Sequence, residues 1–185
     1  MRDGVRVAPV RPEWHWKVGM NTQVDCMRAG LAMVPDDAVL FILEDDDVYM
    51  PEYMETMLAR MGRAELAGER DARYYNVATG RWRVMPGRYH SSMASTVCRG
   101  SALVALKNLC SNGTQKMLDV TWWRNFPGNK ALLSDHRVVG IKGLPGRPGI
   151  GVGHRKNFGS PDDGTVLKKW IGDLAYNYSI FREVA

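Results

Sequence analysis

No stretch of this sequence approaches the ~20 consecutive apolar residues of a membrane-spanning helix. The first residues do not resemble a secretory leader, because Arg2, Asp3, Arg6, Arg11 and Glu13 are mixed there with prolines. Cysteine is scarce. Cys26, Cys98 and Cys110 are odd in number and lack metal-type spacing, which argues against a disulfide framework and for buried or partly buried thiols in a reducing compartment. The pattern Gly-x-x-x-x-Gly-Lys-Ser/Thr is missing, so a Walker-type phosphate loop is excluded. No Gly-x-Ser-x-Gly elbow occurs and no cysteine has a recognisable histidine context, which leaves serine and cysteine nucleophiles without support. Repeats, low-complexity segments and obvious linkers are also missing. The expectation is one cytoplasmic domain over residues 1–185, with no membrane partner.

What is present begins with an ordinary globular composition, 45% hydrophobic and 24% charged over 185 residues, enough for one domain with a real core. The net charge is +5. Basic residues cluster from Arg147 to Lys156 and recur at Arg81, Arg83 and Arg88. Such a surface suits a polyanion, and it equally suits a site for a nucleotide diphosphate.

The most informative feature is acidic. The apolar run Ala38-Val39-Leu40-Phe41-Ile42-Leu43 ends in Glu44-Asp45-Asp46-Asp47. Adjacent carboxylates repel one another, and a hard divalent cation such as Mg²⁺ or Mn²⁺ relieves that repulsion through carboxylate oxygens. If the strand period continues, Asp45 and Asp47 share one side and form a two-point metal clip at the strand's carboxyl end. The frame stays open, because Glu44-x-Asp46 has the same spacing one residue back. The alternative is a solvated acidic loop ahead of a helix opened by Pro51.

A second feature is the loop from Lys142 to Lys156, rich in glycine and basic residues. Glycine lets backbone N–H groups turn toward an anion, so the loop reads as a diphosphate cradle served by Arg155 and Lys156, or else as a flexible surface loop. His154 closes it and offers an imidazole as a third metal ligand beside two carboxylates. A third feature is Leu118-Asp119-Val120-Thr121-Trp122-Trp123. Asp119 could cap a helix or act as an acid, and the tryptophans could be core or could stack on a sugar or base.

The periodicity predicts helices over Thr22–Met33, Pro51–Met61, Ser101–Cys110, Leu118–Arg124 and Thr165–Arg182, the last broken near Gly172. It predicts strands over Val39–Glu44, Met93–Cys98 and Arg137–Lys142, and a hairpin of Arg73–Val77 with Arg81–Met85 around Thr79-Gly80. Alternating helices and strands imply an α/β domain.

Taken in order, several segments resemble the GT-A class of nucleotide-sugar glycosyltransferases. They are Lys17-Val18-Gly19-Met20-Asn21, the helix with Ala29-Gly30-Leu31, Leu43-Glu44-Asp45-Asp46-Asp47, Ser95 to Leu103, Leu118-Asp119 and Gly153-His154. The resemblance covers roughly residues 17 to 156. It implies a single GT-A-like (Rossmann-like) domain with a mixed, mostly parallel central sheet and a small hairpin, followed by a helical segment over 165–182. Only sixteen residues precede Lys17, fewer than the family's opening strand–helix–strand unit requires, so the domain is expected to be N-terminally short.

The resemblance also implies roles. Lys17, Asn21, Arg28, Asp45, Arg155 and Lys156 would hold the donor, a nucleotide sugar of the uridine diphosphate type. Asp45, Asp47 and His154 would ligate Mn²⁺ or Mg²⁺. Asp119 would take the proton of the acceptor hydroxyl. The small size, basic charge and glycine loop further resemble the TET-associated glycosyltransferases of bacteriophages, which modify 5-hydroxymethylcytosine in DNA. That narrower likeness implies DNA as acceptor in the cytoplasm of an infected host, with Arg81, Arg83, Arg88, Trp122 and Trp123 as contacts. The rival expectations are a glycan or small-molecule acceptor, a metal-dependent nucleotidyltransferase or nuclease, and a non-enzymatic nucleic-acid-binding module.

Overall fold

The structure, a computed structural model, describes residues 8–10, 22–113, 117–147, 149 and 151–181. Its elements are α1 (Gln23–Leu31), β1 (Leu40–Phe41), β2 (Val48–Tyr49), α2 (Tyr53–Met61), β3 (Leu66–Glu69), β4 (Asp71–Asn76), β5 (Arg81–Pro86), β6 (Thr96–Cys98), α3 (Gly100–Ser111), α4 (Leu118–Asn125), β7 (Lys130–Leu133), β8 (Val138–Lys142), β9 (Ser160–Pro161) and α5 (Thr165–Ile171). A 3₁₀ segment, Gly172–Phe181, continues from α5 after the expected break at Gly172. None of the helices is long and apolar enough to cross a membrane among the described residues.

The strands form two sheets. The first has the order β1-β6-β3-β7 and the second β2-β8-β4-β5-β9. Their faces follow from strand alternation. On β3, Leu66 points into a core made with α1, α3 and α4, while its neighbour Ala67 points into another made with α2. Tyr53, Met57 and Met61 form the buried stripe of α2, four residues apart as one helix face requires. The second sheet packs Val48, Tyr75, Val77, Val139 and Ile141 against Leu167 and Ile171 of α5.

The domain is therefore α/β with mixed sheets, but the expected mostly parallel central sheet is corrected. Among the described residues only β3·β7 and β4·β8 are parallel, and the other ladders are antiparallel. The physical reason lies in the connections. A single residue, Arg70, separates β3 from β4, so the chain passes directly from the first sheet to the second with no intervening crossover helix. The hairpin β4–β5 turns at Gly80, whose φ of 59° is in the left-handed region that glycine adopts without strain. Cys98 and Cys110 are buried as expected, whereas Cys26 lies exposed on α1.

Candidate functional site

The acidic run does not continue as a strand. Asp47 N–H donates to the Glu44 carbonyl at 3.3 Å, closing a turn, and Glu44 N–H donates to the Tyr49 hydroxyl at 2.8 Å. The chain then re-enters the second sheet as β2, paired with β8 at Val48 and Val139. Because residues 44–47 turn, the two-residue period of a strand does not apply, and the expected Asp45-x-Asp47 frame is corrected. Oxygens of Glu44, Asp46 and Asp47 lie within 4.8 Å of one another. Asp45 stands apart, exposed and paired with Arg147 Nη1 at 2.8 Å.

The turn sets Asp47 against the end of β8. Its Oδ1 accepts the Ile141 N–H at 3.0 Å and the Lys142 Nζ at 3.0 Å. Lys142 Nζ also reaches Glu44 Oε2 at 3.5 Å. Burial pushes the Asp47 carboxyl up to about 7, and the Lys142 charge opposes that rise. Burial alone would lower Lys142, but the charges of Asp47, Glu44 and Asp46 outweigh it and hold the ammonium protonated above its ordinary range.

A cavity of about 450 Å³ opens beside these groups. Glu44, Tyr74, Ser92, Asp119, Lys142 and His154 all line it, together with Gln23 and Met85. Segments far apart in sequence thus converge, among them the acidic turn, β4, the start of α4 and the glycine loop. Asp119 sits in the first turn of α4, where its Oδ1 accepts the Val120 N–H at 2.8 Å. The glycine loop is anchored by Asn76, whose side-chain amide donates to the Gly153 carbonyl at 3.0 Å. Gly153 is packed so tightly that a side chain there would begin 3.0 Å from Lys142 Cγ. Burial, then the Lys142 charge, lower the His154 pKa, so its imidazole is neutral at pH 7.

Other expected site residues are placed elsewhere. Trp122 and Trp123 are fully buried, their indole N–H groups donating to the Ala102 carbonyl at 3.1 Å and to Thr96 Oγ1 at 3.4 Å. Neither ring has a face for an acceptor, so the stacking expectation is corrected: these are core residues. Arg28 joins two helices, donating to the Cys110 carbonyl at 3.0 Å and pairing with Asp25, and it does not line the cavity. Arg81 donates to the Phe158 and Gly159 carbonyls and so staples the loop before β9. Arg155 and Lys156 are exposed beyond His154 and do not line the cavity either. His154 lines it without joining the carboxylate cluster. Lys17 and Asn21 lie outside the described residues.

The residues that sequence reasoning passed over are Lys142 as an inward-facing cation and Tyr74, while Glu44 entered it through the open Glu44-x-Asp46 frame. A signal for Lys142 existed: it ends the apolar strand Val138–Lys142 just as Glu44 ends its own apolar run. Comparison of the chain with protein-family models and with curated proteins gives no match.

Proposed function

We propose that this chain is a metal-dependent glycosyltransferase that moves a sugar from a nucleotide-sugar donor to an acceptor hydroxyl, with 5-hydroxymethylcytosine in phage DNA as the acceptor. The observation that carries the reading is the convergence of Glu44, Asp119, Lys142 and His154 on one cavity beside the acidic turn. These are the groups that sugar transfer to a hydroxyl requires: a base for the acceptor, and cationic and metal-binding groups for a departing diphosphate.

The donor set fits a divalent cation. Glu44, Asp46 and Asp47 supply three carboxylates within 4.8 Å, and hard cations such as Mn²⁺ or Mg²⁺ take oxygen ligands of this kind. With all three ionised, the Lys142 ammonium cancels one charge and leaves two, which a divalent ion balances. When bound, such an ion supplies Lewis-acid charge for the leaving diphosphate. Asp119, half-buried at the cavity wall, accepts the proton of the attacking hydroxyl. The neutral His154 offers a hydrogen-bonding ring nitrogen to the same cavity. Arg83, Arg88, Arg155 and Lys156 are exposed and make no ion pair among the described residues. They flank cavity residues in sequence, Met85 and Ser92 on one side and His154 on the other, and they suit the phosphates of a nucleic-acid acceptor.

Those exposed cations also favour a second reading, a nucleic-acid-binding module without catalysis. The buried tryptophans weaken it, because they remove its stacking platform. One experiment separates the two. The protein is incubated with Mn²⁺, a panel of nucleotide sugars, and DNA with or without hydroxymethylated cytosine, and the nucleosides are read by mass spectrometry. A hexose-sized mass gain on the modified cytosine is expected, reduced at least a hundredfold in Asp119→Asn. Salt-sensitive DNA binding with no mass gain from any donor overturns the enzymatic reading.

A further inference from the structure

A second cavity, of about 850 Å³, is lined from α5, from the 3₁₀ segment that follows it and from Tyr75 on β4. It shares no lining residue with the first. In a 3₁₀ helix side chains three residues apart eclipse one another. Ala175, Tyr178 and Phe181 form one such row and pack against the core of the second sheet. Asp173, Tyr176 and Ser179 form the next row, and all three line the cavity. Three tyrosines and two aspartates meet there. Tyr75 is 1% exposed, Tyr178 is half-buried and Tyr176 is 81% exposed. Asp173 is exposed, and Asp163 accepts the Thr165 N–H at 3.0 Å. Among the described residues neither aspartate forms an ion pair, although Lys168 lines the same cavity. Burial, then the charges of Asp47 and Asp46, raise the Tyr178 phenol above its ordinary range, so the field of the acidic turn reaches this cavity too. In a chain of net charge +5 the lining is a local reversal of sign.

Unpaired carboxylates repel an anion, and a neutral ligand leaves their charge unbalanced. A bare divalent ion needs several oxygen ligands, and neither aspartate belongs to a group of three candidate ligands among the described residues. An organic ammonium ion answers both features of the lining. Its positive charge is attracted to the faces of tyrosine rings and to carboxylates, and its alkyl groups suit an aromatic surface. We propose that this cavity binds an organic ammonium ion, with Tyr75, Tyr176 and Tyr178 as an aromatic cage and Asp163 and Asp173 as the countercharge. Lys168 opposes the ligand, but its long stem lets the ammonium stay in water. The inference goes beyond sugar transfer and does not depend on a metal at the acidic turn.

The probe is choline, titrated calorimetrically into the full chain, with a thermal melt of every variant in parallel. Its control is the neutral isostere in which a quaternary carbon replaces the nitrogen, so that shape is kept and charge is lost. Saturable choline binding is expected, with the isostere at least tenfold weaker. Tyr176→Ala and Asp173→Asn should each weaken choline binding fivefold or more. Both side chains are exposed, so both variants should melt as the wild type does. Lys168→Ala removes the opposing charge and should tighten binding at least twofold. A peptide bearing trimethyllysine presents the same head group on a chain. Tighter binding than choline assigns the cage to a side chain of a protein partner, and weaker binding assigns it to a free small cation. The proposal is overturned if choline does not bind saturably, or if the isostere binds as well as choline. It is also overturned if neither Tyr176→Ala nor Asp173→Asn weakens binding. None of these readouts involves a nucleotide sugar, DNA or Mn²⁺. Sugar transfer without choline binding overturns this inference alone, and choline binding without transfer overturns the function alone.

Discussion

Two ion pairs tie the same acidic turn to the same stretch of chain around the end of β8, and they behave as different objects. Asp45 and Arg147 meet at 2.8 Å with side chains 75% and 52% exposed. Asp47 and Lys142 meet at 3.0 Å with side chains 1% and 11% exposed. Distance alone would rank the first pair as the stronger. Burial reverses the order, because water screens the exposed pair and leaves it contributing little. The buried pair has surrendered its hydration, so removing one partner strands a charge in a poor dielectric. One turn of chain thus carries a surface contact and an internal anchor two residues apart.

The comparison can be broken at its strong end first. Lys142→Met in metal-free buffer leaves Asp47 without its cation, and a loss of about 3–5 kcal/mol is expected in denaturant unfolding. A loss below about 1 kcal/mol would place the buried pair with the surface one.

A third acid sharpens the contrast. Glu69 is buried and receives backbone N–H groups from Arg137 and Val138. Among the described residues no lysine or arginine forms an ion pair with it. Burial pushes its carboxyl from the ordinary 4.5 up to about 7, against the pull of those N–H groups and the Arg73 charge. Between those two pH values the folded state keeps a proton that the unfolded state has released. Stability from this group is therefore fully present below about pH 4.5 and declines as pH rises through 7. The slope is at most about 1.4 kcal/mol per pH unit. Unfolding curves across that window should flatten in Glu69→Gln; an unchanged slope would show that Glu69 does not titrate there.

At the weak end, Arg147→Ala should leave stability close to that of the wild type, and added salt should erase any residual difference. Chemical denaturation at low and high ionic strength checks it.

The contrast between the pairs also marks where the sequence could be read and where it could not. The helices were legible because apolar residues recur on one face, as Tyr53, Met57 and Met61 do. The hairpin was legible because Thr79-Gly80 separates two strand-like runs. The short strands were not. Leu66-Ala67-Gly68-Glu69 is buried throughout and so shows no alternation, and β2 and β9 have two residues each, too few for a period. Asp119 and the glycine loop with His154 were singled out in the sequence, and the fold brings Asp119 and His154 to one cavity. The choice between the Asp45-x-Asp47 and Glu44-x-Asp46 frames stayed open in the sequence, because a turn closed by one backbone hydrogen bond rotates Asp45 outward and Asp47 inward. Nor could the sequence rank Trp122 and Trp123 as core rather than surface, since adjacent aromatics on a short helix suit either.

The direct passage from β3 through Arg70 into β4 has a mechanical consequence. Arg70 donates its N–H to the Leu133 carbonyl at 2.8 Å and accepts the Gly87 N–H at 2.6 Å, so this single residue is held from both sheets. The strand acts as a rigid beam shared by two frames, and neither frame can open without loading the other. Backbone amides of β3 and β4 should therefore exchange with solvent at one common rate, the rate of whole-molecule opening. The cavity wall carried by Tyr74 on β4 then draws its stiffness from the neighbouring sheet.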